Sequence, residues 1–141
     1  MIARGRSRWS GTWKEGDGTI ATQTPTLPST PYSYASRFEG ADGANPEELL
    51  AAAYAGCLNQ AFANTFGWGN FVAEFIETTV EVEVELGYNV TVPGRIHITV
   101  QAKVPGIKQN QFDGFTTTAM RGCMISRFLK IEPTMTATLV D

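Results

Sequence analysis

Asn45-Pro46-Glu47-Glu48-Leu49-Leu50-Ala51-Ala52-Ala53-Tyr54-Ala55-Gly56-Cys57 is the segment around which the chain organises itself. Asn45 is a good N-cap, Pro46 suits the first helical position, and Glu48 stands where it can complete a capping box. A helix therefore starts here. Ala51, Ala52, Ala53, Ala55, Gly56, Ala61 and Ala63 leave little side chain on any face, which predicts a central helix closely approached by neighbouring backbone. Leu49, Leu50, Leu58, Phe62 and Phe66 supply packing volume, and Cys57 places a thiol in the middle of the helix.

Upstream, Arg8–Trp13 and Thr19–Thr24 flank the turn residues Glu15-Gly16-Asp17-Gly18 and predict a hairpin. After Pro25, Pro28 and Pro31, Tyr32–Phe38 predicts a third strand that breaks at Gly40-Ala41-Asp42-Gly43-Ala44. Downstream, Val80, Val82, Val84 and Leu86 alternate with Glu81, Glu83 and Glu85. Past a turn near Gly87 to Gly94, Ile96, Ile98, Val100, Ala102 and Val104 alternate with polar residues. This period of two predicts a sheet with one face in the core and one wet. Pro105-Gly106 ends that hairpin, Phe112 to Lys130 reads as helical with a break around Gly122, and Thr134–Val140 predicts a final strand.

A chain of 141 residues with 43% hydrophobic and 18% charged residues predicts a single domain, 1–141. The net charge of −3 argues against nucleic acid or an anionic membrane as a partner, since both are bound through clustered Lys and Arg. Arg4, Arg6 and Arg8 share one face of an extended strand and read as a solvated face. The N-terminus lacks a signal-peptide pattern and no run of about 20 apolar residues occurs, so a soluble, cytoplasmic protein is expected.

Cys57 and Cys123 are the only cysteines. In a reducing compartment such a pair is either two inert buried thiols or a redox pair, rather than a structural staple. His97 is the only histidine and falls on the polar face of a strand, which leaves no base for Ser-His-Asp or Cys-His catalysis and too few ligands for zinc. There is no Gly-rich phosphate loop or dinucleotide fingerprint. A reactive cysteine without histidine needs another cation to stabilise its thiolate, and an arginine held by a carboxylate is the natural substitute. Arg37, at the end of the predicted third strand, and Glu47, in the first turn of the helix, are the candidates; each is otherwise an ordinary surface or helix-dipole residue. Glu47 and Cys57 are ten helical residues apart, about 15 Å at 1.5 Å per residue, too far to share one site on one straight helix.

Arg37-Phe38-Glu39-Gly40, Asn45-Pro46-Glu47-Glu48-Leu49 with Cys57 ten residues past Glu47, Val104-Pro105-Gly106, and Gly122-Cys123 followed by Ser126 together resemble the OsmC/Ohr family of osmotically inducible and organic hydroperoxide resistance proteins. The first two elements are closer to the OsmC branch. The resemblance implies an α+β, OsmC-like fold with strongly curved antiparallel sheets around central helices, in an intertwined homodimer with its sites at the subunit interface. It further implies a thiol peroxidase acting on organic hydroperoxides, and more weakly on hydrogen peroxide, without metal or other cofactor and recycled by an external dithiol reductant. Carried onto this chain, Cys57 is the peroxidatic thiolate, Cys123 the resolving thiol, Arg37 the activating cation and Glu47 the carboxylate that positions it. The family usually has proline after the second cysteine; Met124 stands here, which bears on disulfide closure. Tyr54, Phe62, Phe66, Trp68 and Phe115 are either an alkyl pocket or core. The rival reading is a non-enzymatic small-molecule binding protein on the same fold.

Overall fold

The computed structural model describes residues 1–88 and 90–141. The chain forms two compact units, Met1–Leu49 and Leu50–Asp141. The first unit holds a three-stranded antiparallel sheet of β1 (Gly5–Ser10), β2 (Asp17–Thr22) and β3 (Thr30–Ser33), followed by the short helix α1 (Tyr34–Phe38). The expected hairpin is present but begins earlier in the chain, because Gly11, at φ 92°, turns the backbone out of the strand before Trp13. Gly18 pairs with Trp9 on one side and Tyr32 on the other. A Cβ there would lie 2.8 Å from each ring, so its absence lets the two rings approach to 5.2 Å between centroids.

The predicted third strand is shorter than expected. Ser33 caps a helix instead: its Oγ accepts the Ser36 N–H at 3.0 Å while Ser36 Oγ accepts the Ser33 N–H at 2.8 Å. Arg37 therefore lies on α1 rather than closing a strand. Ser36 is buried and also donates to the Ala44 carbonyl at 2.9 Å, a contact that local propensity does not reveal.

Helix α2 (Pro46–Trp68) starts where predicted. Asn45 Oδ1 accepts the N–H groups of Glu47 and Glu48 at 2.9 and 3.2 Å; a return bond from the Glu48 side chain is absent among the described residues. In the second unit α2 buries Tyr54, Leu58, Phe62, Thr65 and Phe66 along one face. That face packs into a core with Ile98, Val100 and Ala102 of the sheet and with Phe112, whose ring stacks on Phe66 at 5.7 Å. Burial of each such large apolar side chain contributes about 1.5–3 kcal/mol. Of the small residues, Ala51, Ala55 and Ala61 pack against this core as expected, whereas Ala52, Ala53, Gly56 and Ala63 are exposed in the single chain.

The second sheet is β4 (Phe75–Gly87), β5 (Val90–Lys103) and β6 (Thr134–Leu139). Its inner face carries Val80, Ile96, Ile98, Val100 and Ala102 and its outer face the glutamates, whereas Leu86, expected on the core face, is 50% exposed near the end of β4. The strands turn more tightly than expected: Gly87 pairs with Val90, and Asn89, inside the expected turn, lies outside the described residues. Gly94 belongs to β5, beside a register shift between Val82 and Val84 where a Cβ would lie 2.9 Å from the Glu83 carbonyl. β6 runs parallel to β5, a departure from the all-antiparallel sheets expected. Between β5 and β6, α3 (Gln109–Gly122) and α4 (Met124–Phe128) flank Cys123, at the expected break. No helix among the described residues is long and apolar enough to cross a membrane.

Candidate active site

The four residues singled out in the sequence form two pairs. In the second unit, Cys57 on α2 and Cys123 at the α3–α4 junction are both free thiols, with Sγ atoms 2.9 Å apart although 66 residues separate them. Cys57 is half-buried, whereas Cys123 is only 2% exposed and belongs to the core. Burial pushes the Cys123 thiol above its ordinary range and its hydrogen bond to Cys57 adds to this, while the backbone N–H groups of Ser126 and Ile125 oppose the shift. Cys123 is thus held as a neutral thiol donor toward Cys57 at neutral pH.

In the first unit, Arg37 and Glu47 form a two-point ion pair. Nη2 donates to Oε1 and Nε to Oε2 at 3.3 Å, with the side chains 24% and 21% exposed. Two neighbours fix the arginine. Asn45, while capping α2, donates from Nδ2 to the Arg37 carbonyl at 3.2 Å, and the guanidinium lies 4.7 Å from the centroid of the Phe38 ring. The cap that starts the helix therefore also sets where the Arg37–Glu47 pair stands.

Beside Arg37 is a cleft of about 360 Å³ lined by Trp9, Trp13, Tyr32, Tyr34 and Phe38. Trp13 meets Tyr34 edge to face at 5.2 Å and Tyr34 meets Phe38 at 5.0 Å. None of these rings is fully buried. The sequence reading missed this cleft; the available signal was the spacing of Tyr32 and Tyr34 and the two tryptophans of the first hairpin. The residues proposed for an alkyl pocket are placed otherwise. Tyr54, Phe62 and Phe66 are fully buried core residues, Phe115 packs edge to face on Phe66, and Trp68 is 63% exposed. Tyr54 Oη instead meets Ser126 Oγ at 2.5 Å. His97 sits on the outer face of β5, its Nδ1 2.7 Å from Thr134 Oγ1.

This chain belongs to the OsmC family: the family described as OsmC-like protein matches residues 39–138. Peroxiredoxin OsmC of Escherichia coli (strain K12) is 38% identical over 135 residues, covering 94% of this chain and 92% of its own, and its namesake in Shigella flexneri matches to the same extent. Among solved structures, the OsmC-like protein of Mycoplasma pneumoniae aligns with 100% of this chain and 99% of its own at a TM-score of 0.77 and 12% identity. The organic hydroperoxide resistance protein OsmC of Legionella pneumophila aligns over the same shares at 0.68 and 18%. OhrB of Bacillus subtilis covers 99% of this chain and 98% of its own at 0.65 and 21%. At such identities these structures speak for the fold, and they bear out the α+β, OsmC-like class.

Proposed function

We propose that this protein is a cysteine-based thiol peroxidase that reduces organic hydroperoxides, and hydrogen peroxide more weakly. The observation that carries the reading is the apposition of two free thiols, Cys57 and Cys123, at 2.9 Å in a chain of this family. The Cys57 thiolate attacks the distal oxygen of the hydroperoxide; the O–O bond breaks, the departing alkoxide takes up a proton as alcohol, and Cys57 becomes a sulfenic acid. The Cys123 thiol then attacks that sulfur, forming the Cys57–Cys123 disulfide and releasing water. An external dithiol returns both cysteines to the reduced state, consistent with a cytoplasmic setting in which thiols are kept reduced.

Arg37, held by Glu47, stabilises the Cys57 thiolate and the charge developing on the peroxide oxygens. The aromatic cleft beside Arg37 receives the organic group. Ten helical residues separate Glu47 from Cys57 in the sequence, about 15 Å at 1.5 Å per residue. That distance favours a homodimer in which each Cys57 meets the Arg37–Glu47 pair of the partner, and the exposed small residues of α2 suit a close approach by a second copy.

The test adds one equivalent of an organic hydroperoxide to reduced protein and follows both peroxide loss and protein mass. Wild type is expected to lose two hydrogens and yield a linked Cys57–Cys123 peptide pair. Cys57→Ser abolishes peroxide loss, whereas Cys123→Ser still completes a first turnover and leaves Cys57 open to sulfinic acid. Equal loss of the first turnover in both variants, or no peroxide loss in wild type, would refute the assignment.

A further inference from the structure

We propose that the hydrogen bond between Tyr54 and Ser126 is a clamp that positions Cys123 against Cys57, governing disulfide closure without taking part in peroxide cleavage. Tyr54 precedes Cys57 by three residues on α2, and Ser126, in the middle of α4, follows by three residues Cys123, the N-cap of that helix. On α2 residues three apart share a face, and on the other side the N-cap leads directly into the single turn that carries Ser126. The sulfur contact at 2.9 Å and the hydroxyl contact at 2.5 Å are therefore adjacent ties between the same two segments, about one helical turn apart.

Three observations make the hydroxyl tie a positioning element rather than incidental packing. First, Tyr54 is fully buried among Leu58, Phe62 and Phe66, a setting in which a phenyl ring satisfies the apolar packing and a phenol needs a partner. Its hydroxyl finds one on a segment 72 residues away. Second, α4 has five residues and none is fully buried, so apolar packing anchors it weakly. Met124 at its first position does not restrict φ as proline would. Third, burial raises the Tyr54 phenol, with the Ser126 hydrogen bond opposing, so the group stays protonated at neutral pH and keeps a hydrogen to donate.

The clamp's place in a catalytic cycle rests on the peroxidase reading, so the decisive experiment uses no peroxide. Reduced protein is mixed with one equivalent of the aromatic disulfide 5,5′-dithiobis(2-nitrobenzoate). A protein thiolate attacks it, forming a mixed disulfide and releasing one nitrothiophenolate; the second protein thiol then attacks the mixed disulfide, closing the Cys57–Cys123 bond and releasing another. The second release reports closure alone. In Tyr54→Phe and in Ser126→Ala it is expected to slow about fivefold, the scale of one neutral hydrogen bond, with the first release unchanged. The double variant, which leaves no hydroxyl unpaired and so keeps the fold testable, is expected to match either single variant, and Ser126→Thr to stay near wild type.

With hydroperoxide, the same variants should consume the first equivalent at the wild-type rate but collect more sulfinic acid at Cys57. A second release within twofold of wild type in Tyr54→Phe and Ser126→Ala would overturn the clamp, as would a double variant slowed by the product of the single effects. Slowed closure with the aromatic disulfide, alongside a wild type that consumes no hydroperoxide, would keep the clamp and refute the peroxidase reading alone.

Discussion

Mixing Cys57→Ser, expected to be inactive, with the impaired Glu47→Ala after reversible unfolding under reducing conditions tests whether the site is shared between subunits. Glu47 holds Arg37 at two points, so under the proposed mechanism Glu47→Ala frees the guanidinium that is to act on the peroxide, and a loss of about tenfold or more in the peroxide step is expected. If the proposed homodimer forms, random pairing makes half of the dimers hybrids. In each hybrid the subunit that retains Cys57 carries Glu47→Ala, and its partner supplies the intact Arg37–Glu47 pair. One site per hybrid is then complete, and the mixture should recover about a quarter of wild-type activity at equal total protein. If Glu47 instead serves the cysteine of its own chain, hybrids stay at the level of Glu47→Ala and the mixture remains near about one twentieth. Peroxide consumption is assayed with a dithiol reductant, and native mass spectrometry of differently tagged variants counts the hybrids. Verified hybrids without recovery would refute the inference from the ten-residue spacing of Glu47 and Cys57.

Arg37→Met keeps apolar bulk but removes the fixed cation; the first-step rate in single-turnover peroxide consumption is expected to fall about tenfold or more. An unchanged first-step rate would take Arg37 out of the chemistry. Stability should also depend on pH in a defined direction. Cys123 is raised in the fold by burial and by its bond to Cys57, so above the ionisation of an unfolded thiol, about 8.5, the unfolded chain binds fewer protons than the native one. The stability present below that pH is lost as pH rises toward the native value. Urea unfolding of reduced protein between pH 7 and 10 should show this decline, and Cys123→Ser should flatten it.

Features set by neighbours in the chain are legible in the sequence. The start of α2 at Asn45, the alternation of β4 and β5, and the break beside Gly122 each follow from a cap, a period of two, or the end of a helical run acting over a few residues. The family motifs likewise mark Arg37, Glu47, Cys57 and Cys123 by order and spacing. The helical state of Arg37 was not legible, because Ser33 and Ser36 are neutral locally and their capping box is supported by a buried bond to Ala44. The direction of β6 was not legible either, since alternation specifies a face and not a partner.

What required the folded chain is the pairing of distant groups. Composition leaves Cys57 and Cys123 as either inert or redox thiols, the family resemblance pairs them, and the folded chain brings their sulfurs to 2.9 Å across 66 residues. Tyr54 reads as an aromatic of the helix, yet its hydroxyl partner comes from α4, and that contact makes it a candidate for control of closure. Propensity and periodicity act through the nearest few residues. A hydrogen bond or sulfur contact between segments exists only once the core formed by α2, the sheet and Phe112 has placed both ends.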